Sequence, residues 1–368
     1  MFGSGLPFPS GFLAVDFFFV LSGFVLAYSY EDRFRRGMSF TDFFLVRWIR
    51  LYPLYALAMA IMCFSSFGLW LAGDGVRDAS LGALLTAIVL QMAFMPAHLP
   101  PSMGHGLVYP LNMVAWSLFF ELFANLFWRL TFGILTTRVI AGILAFSFLA
   151  ICQCLVAHGT VDDGGNLWDQ FWFGFARVGL AFFSGVLTHR LWVDRGPMPK
   201  WLQKIPAWVL VIGSLGIYAI PPTPSYELAM YAFFPAFIYL CASVQSARSI
   251  EGLFAVMGGI SYPIYILQIP VRNIFMRLVE MATGAPADAF APWTGMLSLV
   301  LLVLVSLALY YMYDIPVRSY LTRLSSRPSA SIGIGRTPRV LLAENPVSRS
   351  TLKSKQSRQT PAPPAEGT

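Results

Sequence analysis

The stretch Val15-Asp-Phe-Phe-Phe-Val-Leu-Ser-Gly-Phe24 places one carboxylate, that of Asp16, inside an otherwise apolar run. The apolar segment around it, from Phe12 to Tyr30, is long enough to cross a bilayer at about 1.5 Å per residue. An ionisable side chain costs roughly 2.5–3.5 kcal/mol at the centre of a membrane helix, so Asp16 is a candidate functional residue. The alternative is that Asp16 lies among lipid headgroups or caps the helix N-terminus.

The bulk composition is that of a polytopic membrane protein. Of the 368 residues, 57% are hydrophobic and only 12% are charged, and the mean hydropathy is +0.65. These values lie outside the range of soluble globular domains. The net charge of +7 is spread over short loops and a tail, without the aromatic-interleaved basic patch that nucleic-acid binding needs. The four cysteines have no metal-ligand spacing, so no metal site is predicted.

Hydropathy predicts an all-α fold in which nine spans cross the membrane. A tenth apolar stretch, Leu81 to Met95, is short and is typical of a re-entrant or interfacial segment. Residues 1–321 are predicted to form the membrane domain, and residues 322–368 a disordered basic tail. The nine predicted spans are Phe12 to Tyr30, Phe43 to Leu71, Leu111 to Phe132, Val139 to Ala157, Phe171 to Leu191, Trp208 to Ile220, Leu228 to Val244, Leu253 to Ile269 and Met296 to Tyr313.

Loop charge predicts the orientation, because short cytoplasmic loops carry the excess of Lys and Arg. With nine spans, Arg77 is the only loop cation on the outer side, and the tail is cytoplasmic. Met1 would then lie outside without a signal peptide, so we expect a further helix upstream of it. The cations predicted to share the cytoplasmic side are Arg33, Arg35, Arg36, Arg129, Arg138, Arg190, Arg195, Lys200, Lys204 and Arg248.

Two arginines follow the first span. Arg47 and Arg50 are three residues apart and share one helix face, where they could bind the phosphates of an acyl carrier. Snorkelling toward the headgroups is the favoured interpretation for Arg47 alone. Arg50 lies about 10 Å into its span and precedes the helix-distorting Pro53, which favours a functional role.

A second polar group follows in the third span. Asn112 precedes the run Trp116-Ser-Leu-x-x-Glu121, in which Ser117 and Glu121 share a helix face. Glu121 lies at a depth of roughly 15 Å, where a carboxylate serves as a base, a proton relay or the partner of an arginine. A purely structural ion pair, for example with Arg177, is the alternative.

Two prolines interrupt the apolar run Ile260-Ser-Tyr-Pro-Ile-Tyr-Ile-Leu-Gln-Ile-Pro270. They predict a broken helix that lines a cavity. Arg272 and Arg277 follow toward the outer face, where they could meet an anionic or hydroxyl-rich acceptor or simply snorkel. The last span ends in Asp314-Ile-Pro316, a carboxylate at the inner boundary.

Five of these motifs, in this order, resemble the acyltransferase-3 family of bacterial integral-membrane O-acyltransferases. The resemblance covers Gly11 to about Leu321 and implies about ten transmembrane helices in the bacterial inner membrane. It further implies an acyl-CoA donor, with no bound cofactor, and transfer of an acetyl or similar short acyl group to a hydroxyl of a cell-surface or exported saccharide. The five motifs are Asp16-Phe-Phe-Phe-Val-Leu-Ser-Gly-Phe24, Arg47-x-x-Arg50-x-x-Pro53, Trp116-Ser-Leu-x-x-Glu121, Ser261-Tyr-Pro-Ile-Tyr265 and Asp314-x-Pro316.

This sequence departs from the family pattern at two places. The family's first helix carries the histidine that is usually assigned the catalytic role, and that helix would lie before Met1. The chain as it stands could therefore be inactive. Gln268 stands where the family often has histidine, and a glutamine cannot shuttle protons near neutral pH.

The resemblance and the residues together define the candidate site. The predicted acceptor is a saccharide or glycolipid, as in exopolysaccharide or lipopolysaccharide O-acetylation, and the oligomeric state stays open. A flippase for a lipid-linked saccharide, or a non-catalytic partner in polysaccharide synthesis, is the alternative. The catalytic candidates are Asp16, Glu121 and Arg50, and the substrate-binding candidates are Arg47, Ser22, Trp116, Ser117, Tyr262 and Gln268.

Overall fold

The computed structural model describes residues 8–72, 81–98, 106–244 and 248–325. Within these ranges the chain forms helices without a β-strand, and a single bridge joins Leu107 and Leu167. The predicted all-α fold is confirmed. The described helices are α1 (Leu13–Arg35), α2 (Phe40–Ala72), α3 (Leu81–Met92), α4 (Ala115–Thr131), α5 (Thr137–His158), α6 (Phe171–Arg195), α7 (Lys200–Gln203), α8 (Ala207–Tyr218), α9 (Pro224–Ser243), α10 (Arg248–Thr283), α11 (Trp293–Leu309) and α12 (Ile315–Ser325).

Seven helical stretches of the described chain are long and apolar enough to cross a membrane. They correspond to seven of the nine predicted spans, and the last of them runs from α11 through a π-helical turn into α12. Helix α12 continues to Ser325, four residues past the predicted end of the membrane domain. The rest of the predicted tail, 326–368, lies outside the described residues.

The helices of the other two predicted spans are shorter than those seven. The third begins as a helix only at Ala115 and has 17 residues, because the chain before it forms turns, in which the Leu111 N–H donates to Gln91 Oε1 of α3 (3.3 Å). The sixth contains a helix of 12 residues, about 18 Å long and too short to cross a bilayer alone.

The chain around α8 nevertheless runs the full length of α9. At one end the Met198 N–H donates to the Ser243 hydroxyl (3.0 Å), and at the other the Tyr226 hydroxyl donates to the Ile217 carbonyl (2.6 Å). Because α9 has 20 residues, these two contacts are separated by most of its length of about 30 Å. Residues 198–217 therefore pass from one end of the bundle to the other.

Hydrogen bonds and ion pairs define two ends of the bundle. At the end that we call the basic end, Arg190 binds Glu31 (2.7 Å) and the Leu135 carbonyl (2.8 Å), and Arg129 donates to the Met38 carbonyl. At the opposite end, the Ser10 hydroxyl donates to the Ile220 carbonyl (2.6 Å). The described loop cations of the orientation prediction lie at the basic end.

Helices α1 and α6 run parallel and touch through their backbones. A Cβ atom on Gly23 would lie 2.0 Å from the Phe182 carbonyl oxygen, and one on Gly185 would lie 2.0 Å from that of Val20. Only glycine permits this approach, as in the small-residue contacts between membrane helices. The crossing fixes the face of α1 that Ser22 presents to the rest of the bundle.

The tenth apolar stretch forms the short helix α3, which ends against the middle of α2. The Tyr55 hydroxyl donates to the Gln91 carbonyl (2.5 Å), and the Tyr52 hydroxyl donates to that of Met92 (3.1 Å). The chain then turns back, with Phe94 at a positive φ of 63°. The segment made of α3 and this turn enters the bundle from one side and returns to the same side, which agrees with the re-entrant interpretation.

Candidate active site

Three helices bring Glu121, Arg47 and Ser22 together in the interior of the bundle. Glu121 Oε1 accepts hydrogen bonds from Arg47 Nη2 (2.9 Å) and from the Ser22 hydroxyl (2.7 Å). The Arg47 and Glu121 side chains are only 7% and 3% exposed. This cluster joins α1, α2 and α4, and we call it the Glu121 cluster.

The Glu121 cluster keeps unused hydrogen-bonding capacity. Glu121 Oε2 and Arg47 Nε are both buried, and neither has a hydrogen-bond partner among the described residues. Buried polar atoms in proteins are almost always partnered, so an unpartnered acceptor and an unpartnered donor in one cluster require an explanation. A bound water or substrate group could satisfy both atoms.

Arg50 does not join this cluster, and the snorkelling interpretation of Arg47 is wrong. Arg50 is exposed, whereas Arg47 is buried and does not snorkel. Arg50 lies close enough to Asp314 for the two charges to interact. Asp314 itself pairs with Arg318 (2.8 Å) one helical turn further on.

Asp16 belongs to a second buried ion pair near the opposite end. Its carboxylate accepts hydrogen bonds from Nε (3.0 Å) and Nη2 (2.7 Å) of Arg177, and the Tyr231 hydroxyl donates to Oδ1 (3.0 Å). Asp16 and Arg177 are both fully buried. The alternative that Asp16 caps its helix is therefore wrong, and so is the alternative that Arg177 is the partner of Glu121.

Arg177 also secures the loop between α5 and α6. Its Nη1 donates to the carbonyls of Val161 (2.8 Å), Asp162 (3.1 Å) and Gly164 (3.0 Å), and its guanidinium lies over the Trp116 ring at 5.0 Å. Together with the contacts to Asp16, these use all three nitrogens of the guanidinium. The Asp16–Arg177 pair is therefore saturated, in contrast to the Glu121 cluster.

The motif around Ser117 lies against α10. The Ser117 and Tyr265 hydroxyls are 2.5 Å apart, and Tyr265 also donates to the Val114 carbonyl (3.0 Å). The Tyr262 hydroxyl donates to the Leu51 carbonyl of α2 (2.6 Å). Gln268 is half-buried, and its Nε2 donates to the Tyr265 carbonyl of its own helix (3.1 Å).

The prediction of a broken helix at the two prolines is wrong, because α10 continues through Pro263 and Pro270. Pro270 has no N–H for the carbonyl four residues earlier, that of Ile266. Asn112 supplies the missing donor, since its Nδ2 lies 3.1 Å from that oxygen. A neighbouring amide thus satisfies the carbonyl that the proline leaves free, as membrane helices tolerate.

Sequence reasoning left Tyr231 and Tyr265 out of the site. Each is a tyrosine in an apolar helix and carries no charge that would single it out. Arg177 was detectable as a cation inside the span Phe171 to Leu191, although its partner was not.

Comparison with known proteins identifies the family. The profile described as "Acyltransferase domain" matches residues 2–312, and it is that of the acyltransferase-3 family. The chain belongs to the acyltransferase-3 family. The resemblance drawn from the five motifs is thereby confirmed, and membership supports an acyltransferase in the membrane.

Three relatives add detail to this membership. "Protein 2 in picA locus" from Rhizobium radiobacter is 42% identical over 123 residues, which are 32% of this chain and 63% of that protein, so the chain spans less than two thirds of it. "Exopolysaccharide production protein ExoZ" from Rhizobium meliloti is 26% identical across 85% of this chain and 92% of its own length. "Acyltransferase MdmB" from Streptomyces mycarofaciens is 27% identical across 81% and 78%. No solved structure matches the chain.

Proposed function

We propose that this acyltransferase-3 chain transfers an acetyl or similar short acyl group from acyl-CoA to a hydroxyl of an exported saccharide. The hydroxyl oxygen forms an ester bond with the acyl carbon, the carbon–sulfur bond of the thioester breaks, and the hydroxyl proton passes to the departing CoA thiolate. The name of the relative ExoZ supports a saccharide acceptor, and that of MdmB supports acyl transfer. In this proposal the protein lies in the bacterial inner membrane with its basic end in the cytoplasm.

The observation that carries the proposal is the pair of unpartnered atoms in the Glu121 cluster. Arg47 Nε offers a charged donor to the oxygen on which negative charge develops during acyl transfer. Glu121 Oε2 offers an acceptor that orients the attacking hydroxyl or the group that deprotonates it. Because Arg47 Nη2 already binds Glu121 Oε1 at 2.9 Å, we assign Glu121 an orienting role rather than that of the sole base.

The remaining candidates take subsidiary roles in this proposal. Arg50 is exposed on α2 three residues after Arg47, where it would bind a CoA phosphate. Ser22 positions Glu121, and the Ser117–Tyr265 pair lines the approach one helical turn away. Asp16 acts by holding α1 to α6 rather than by touching the reacting atoms.

The double variant Arg47→Gln/Glu121→Gln tests the assignment. It replaces the buried ion pair with two amides of similar size, so neither charge is left unpaired. We expect acyl transfer from radiolabelled acetyl-CoA to exported polysaccharide in membrane vesicles to fall by about a hundredfold or more.

The matched control is Glu31→Gln/Arg190→Gln, which makes the same exchange in the buried pair at the basic end. This control should keep its activity if the variants insert equally well. Full activity of the Arg47→Gln/Glu121→Gln protein would overturn the residue assignment. Absence of acyl transfer in the unmodified chain under the same conditions would overturn the proposed activity.

A further inference from the structure

A second polar region lies between the far segments of α2 and α10, at the end opposite to the basic end. It surrounds a cavity of about 660 Å³, within the range of about 300–1,000 Å³ that is typical of small-molecule sites. The side chains that could contact a polar ligand there are Ser65, Ser66, Arg272, Asn273, Arg277 and Glu280.

The chemistry of this cavity favours a saccharide. Two hydroxyls and one amide offer hydrogen bonds in both directions, which is what a polyhydroxylated ring requires. Met62, Leu84 and Ile274 supply apolar surface for the faces of sugar rings. A phosphate headgroup would need only the cationic side chains of the cavity for binding, and not its hydroxyls, amide and apolar surface.

The charge of the cavity further restricts the class of saccharide that fits it. The lining of the cavity includes two arginines, Arg272 and Arg277, and one carboxylate, that of Glu280, so its net charge is positive. Guanidinium groups bind carboxylates in planar, two-point geometry. A saccharide with acidic groups, such as a uronic acid, satisfies this arrangement better than a neutral sugar.

Buried polar atoms connect the cavity with the Glu121 cluster. Leu111 lies in the cavity wall, and its N–H donates to Gln91 Oε1 (3.3 Å). Gln91 Nε2 and Asn112 Oδ1 are fully buried without a partner among the described residues. From Asn112 the chain enters α4 at Ala115, and within the helix Glu121 follows Ser117 after about 6 Å.

We propose that this cavity binds the acidic saccharide acceptor and that the Gln91–Asn112–Ser117 line leads from it to the Glu121 cluster. This inference rests on the proposed function, for which it names the acceptor class and the place of its binding. The unpartnered atoms along the line mark where water or a hydroxyl of the acceptor is held between the two regions.

Binding to the full chain in phosphatidylcholine nanodiscs tests the inference without an acyl donor. The probes are trigalacturonate and maltotriose, which have three rings each but differ in their carboxylates. We expect trigalacturonate to bind about tenfold or more tightly than maltotriose, since one additional charge-assisted hydrogen bond accounts for such a ratio.

Exposed positions of the cavity provide variants that leave the core intact. Arg272→Gln should weaken trigalacturonate binding about tenfold, and Glu280→Gln should tighten it because it removes the opposing carboxylate. Arg195→Gln, which changes an exposed arginine at the basic end, should have no effect. Maltotriose binding should change little in all three proteins.

Equal affinity for the two trisaccharides, or insensitivity to Arg272→Gln, would overturn the inference. Displacement of trigalacturonate by phosphatidylglycerol in the nanodisc would assign the cavity to lipid and overturn it as well. Because the assay contains no acyl-CoA, failure of binding leaves the acyl-transfer proposal standing. Conversely, specific binding by a chain without transferase activity would support the assignment of the cavity as a saccharide site and would overturn the proposed function.

Discussion

Glu121 and Asp16 are both buried carboxylates bound to an arginine, but they differ in what their partners leave free. Glu121 keeps one unpartnered oxygen beside an unpartnered arginine nitrogen. The Asp16 carboxylate accepts hydrogen bonds from Arg177 and Tyr231, and Arg177 also donates to loop carbonyls. Available hydrogen-bonding capacity, rather than burial, separates a group that can meet a substrate from a group that holds the fold.

Neutralising Asp16 should therefore affect stability first. Asp16→Asn leaves Arg177 charged and buried without its counterion, so the free energy of unfolding should fall by about 3–5 kcal/mol. Thermal unfolding in detergent, followed by intrinsic fluorescence, measures the change. Asp169→Asn, at an exposed carboxylate before α6, should unfold like the unmodified protein. A stable Asp16→Asn protein that has lost only acyl transfer would return Asp16 to the catalytic group.

The sequence reveals each buried charge but not its partner. Asp16 and Arg177 are 161 residues apart, and Arg47 and Glu121 are 74 apart, so the pairing depends on which helices become neighbours. The snorkelling interpretation of Arg47 was wrong for a related reason. Depth along a helix can be counted from the sequence, whereas the face that turns inward is decided by packing against α4.

Helix α1 links the two ion pairs because it carries Asp16 on one turn and Ser22 about two turns later. Its position is set by Gly23 and Gly185, which allow α1 and α6 to touch through their backbones. The apolar runs alone predict both helices, but they do not predict this contact. The prolines of α10 show the same limit, since the Asn112 amide that preserves the helix is contributed by a distant loop.

Adding one methyl group at this crossing should disturb the candidate site from a distance. The Cβ of Gly185→Ala would lie 2.0 Å from the Val20 carbonyl oxygen, so α1 must move away from α6. We expect a loss of about 1–3 kcal/mol in stability, as for other overpacked contacts, together with reduced acyl transfer because Ser22 shifts from Glu121.

Gly142→Ala on α5 is the matched control, because its new methyl group has nothing within 4 Å. The control should keep both stability and activity. If Gly185→Ala behaved in the same way, the close crossing would not be what positions Ser22.

At the scale of the whole molecule, the two ends of the bundle differ in charge and in the chemistry that they offer. The basic end collects the described loop arginines and lysines, whereas the other end holds the loop secured by Arg177 and the cavity of Arg272. Such a separation suits a donor that arrives from one side of the membrane and an acceptor from the other. It requires the basic end to face the cytoplasm, as the distribution of loop cations predicts.

Cysteine labelling tests this orientation directly. After the four native cysteines are replaced, Asp169→Cys and Arg195→Cys each place one thiol at an exposed position, at the opposite end and the basic end respectively. A membrane-impermeant maleimide should label Asp169→Cys in intact spheroplasts and should label Arg195→Cys only after lysis. The reverse pattern would place the basic end outside, where cytoplasmic acyl-CoA could not reach Arg50, and the assignment of donor and acceptor sides would fail. Labelling of both thiols in intact spheroplasts would contradict the separation of the two ends across the membrane.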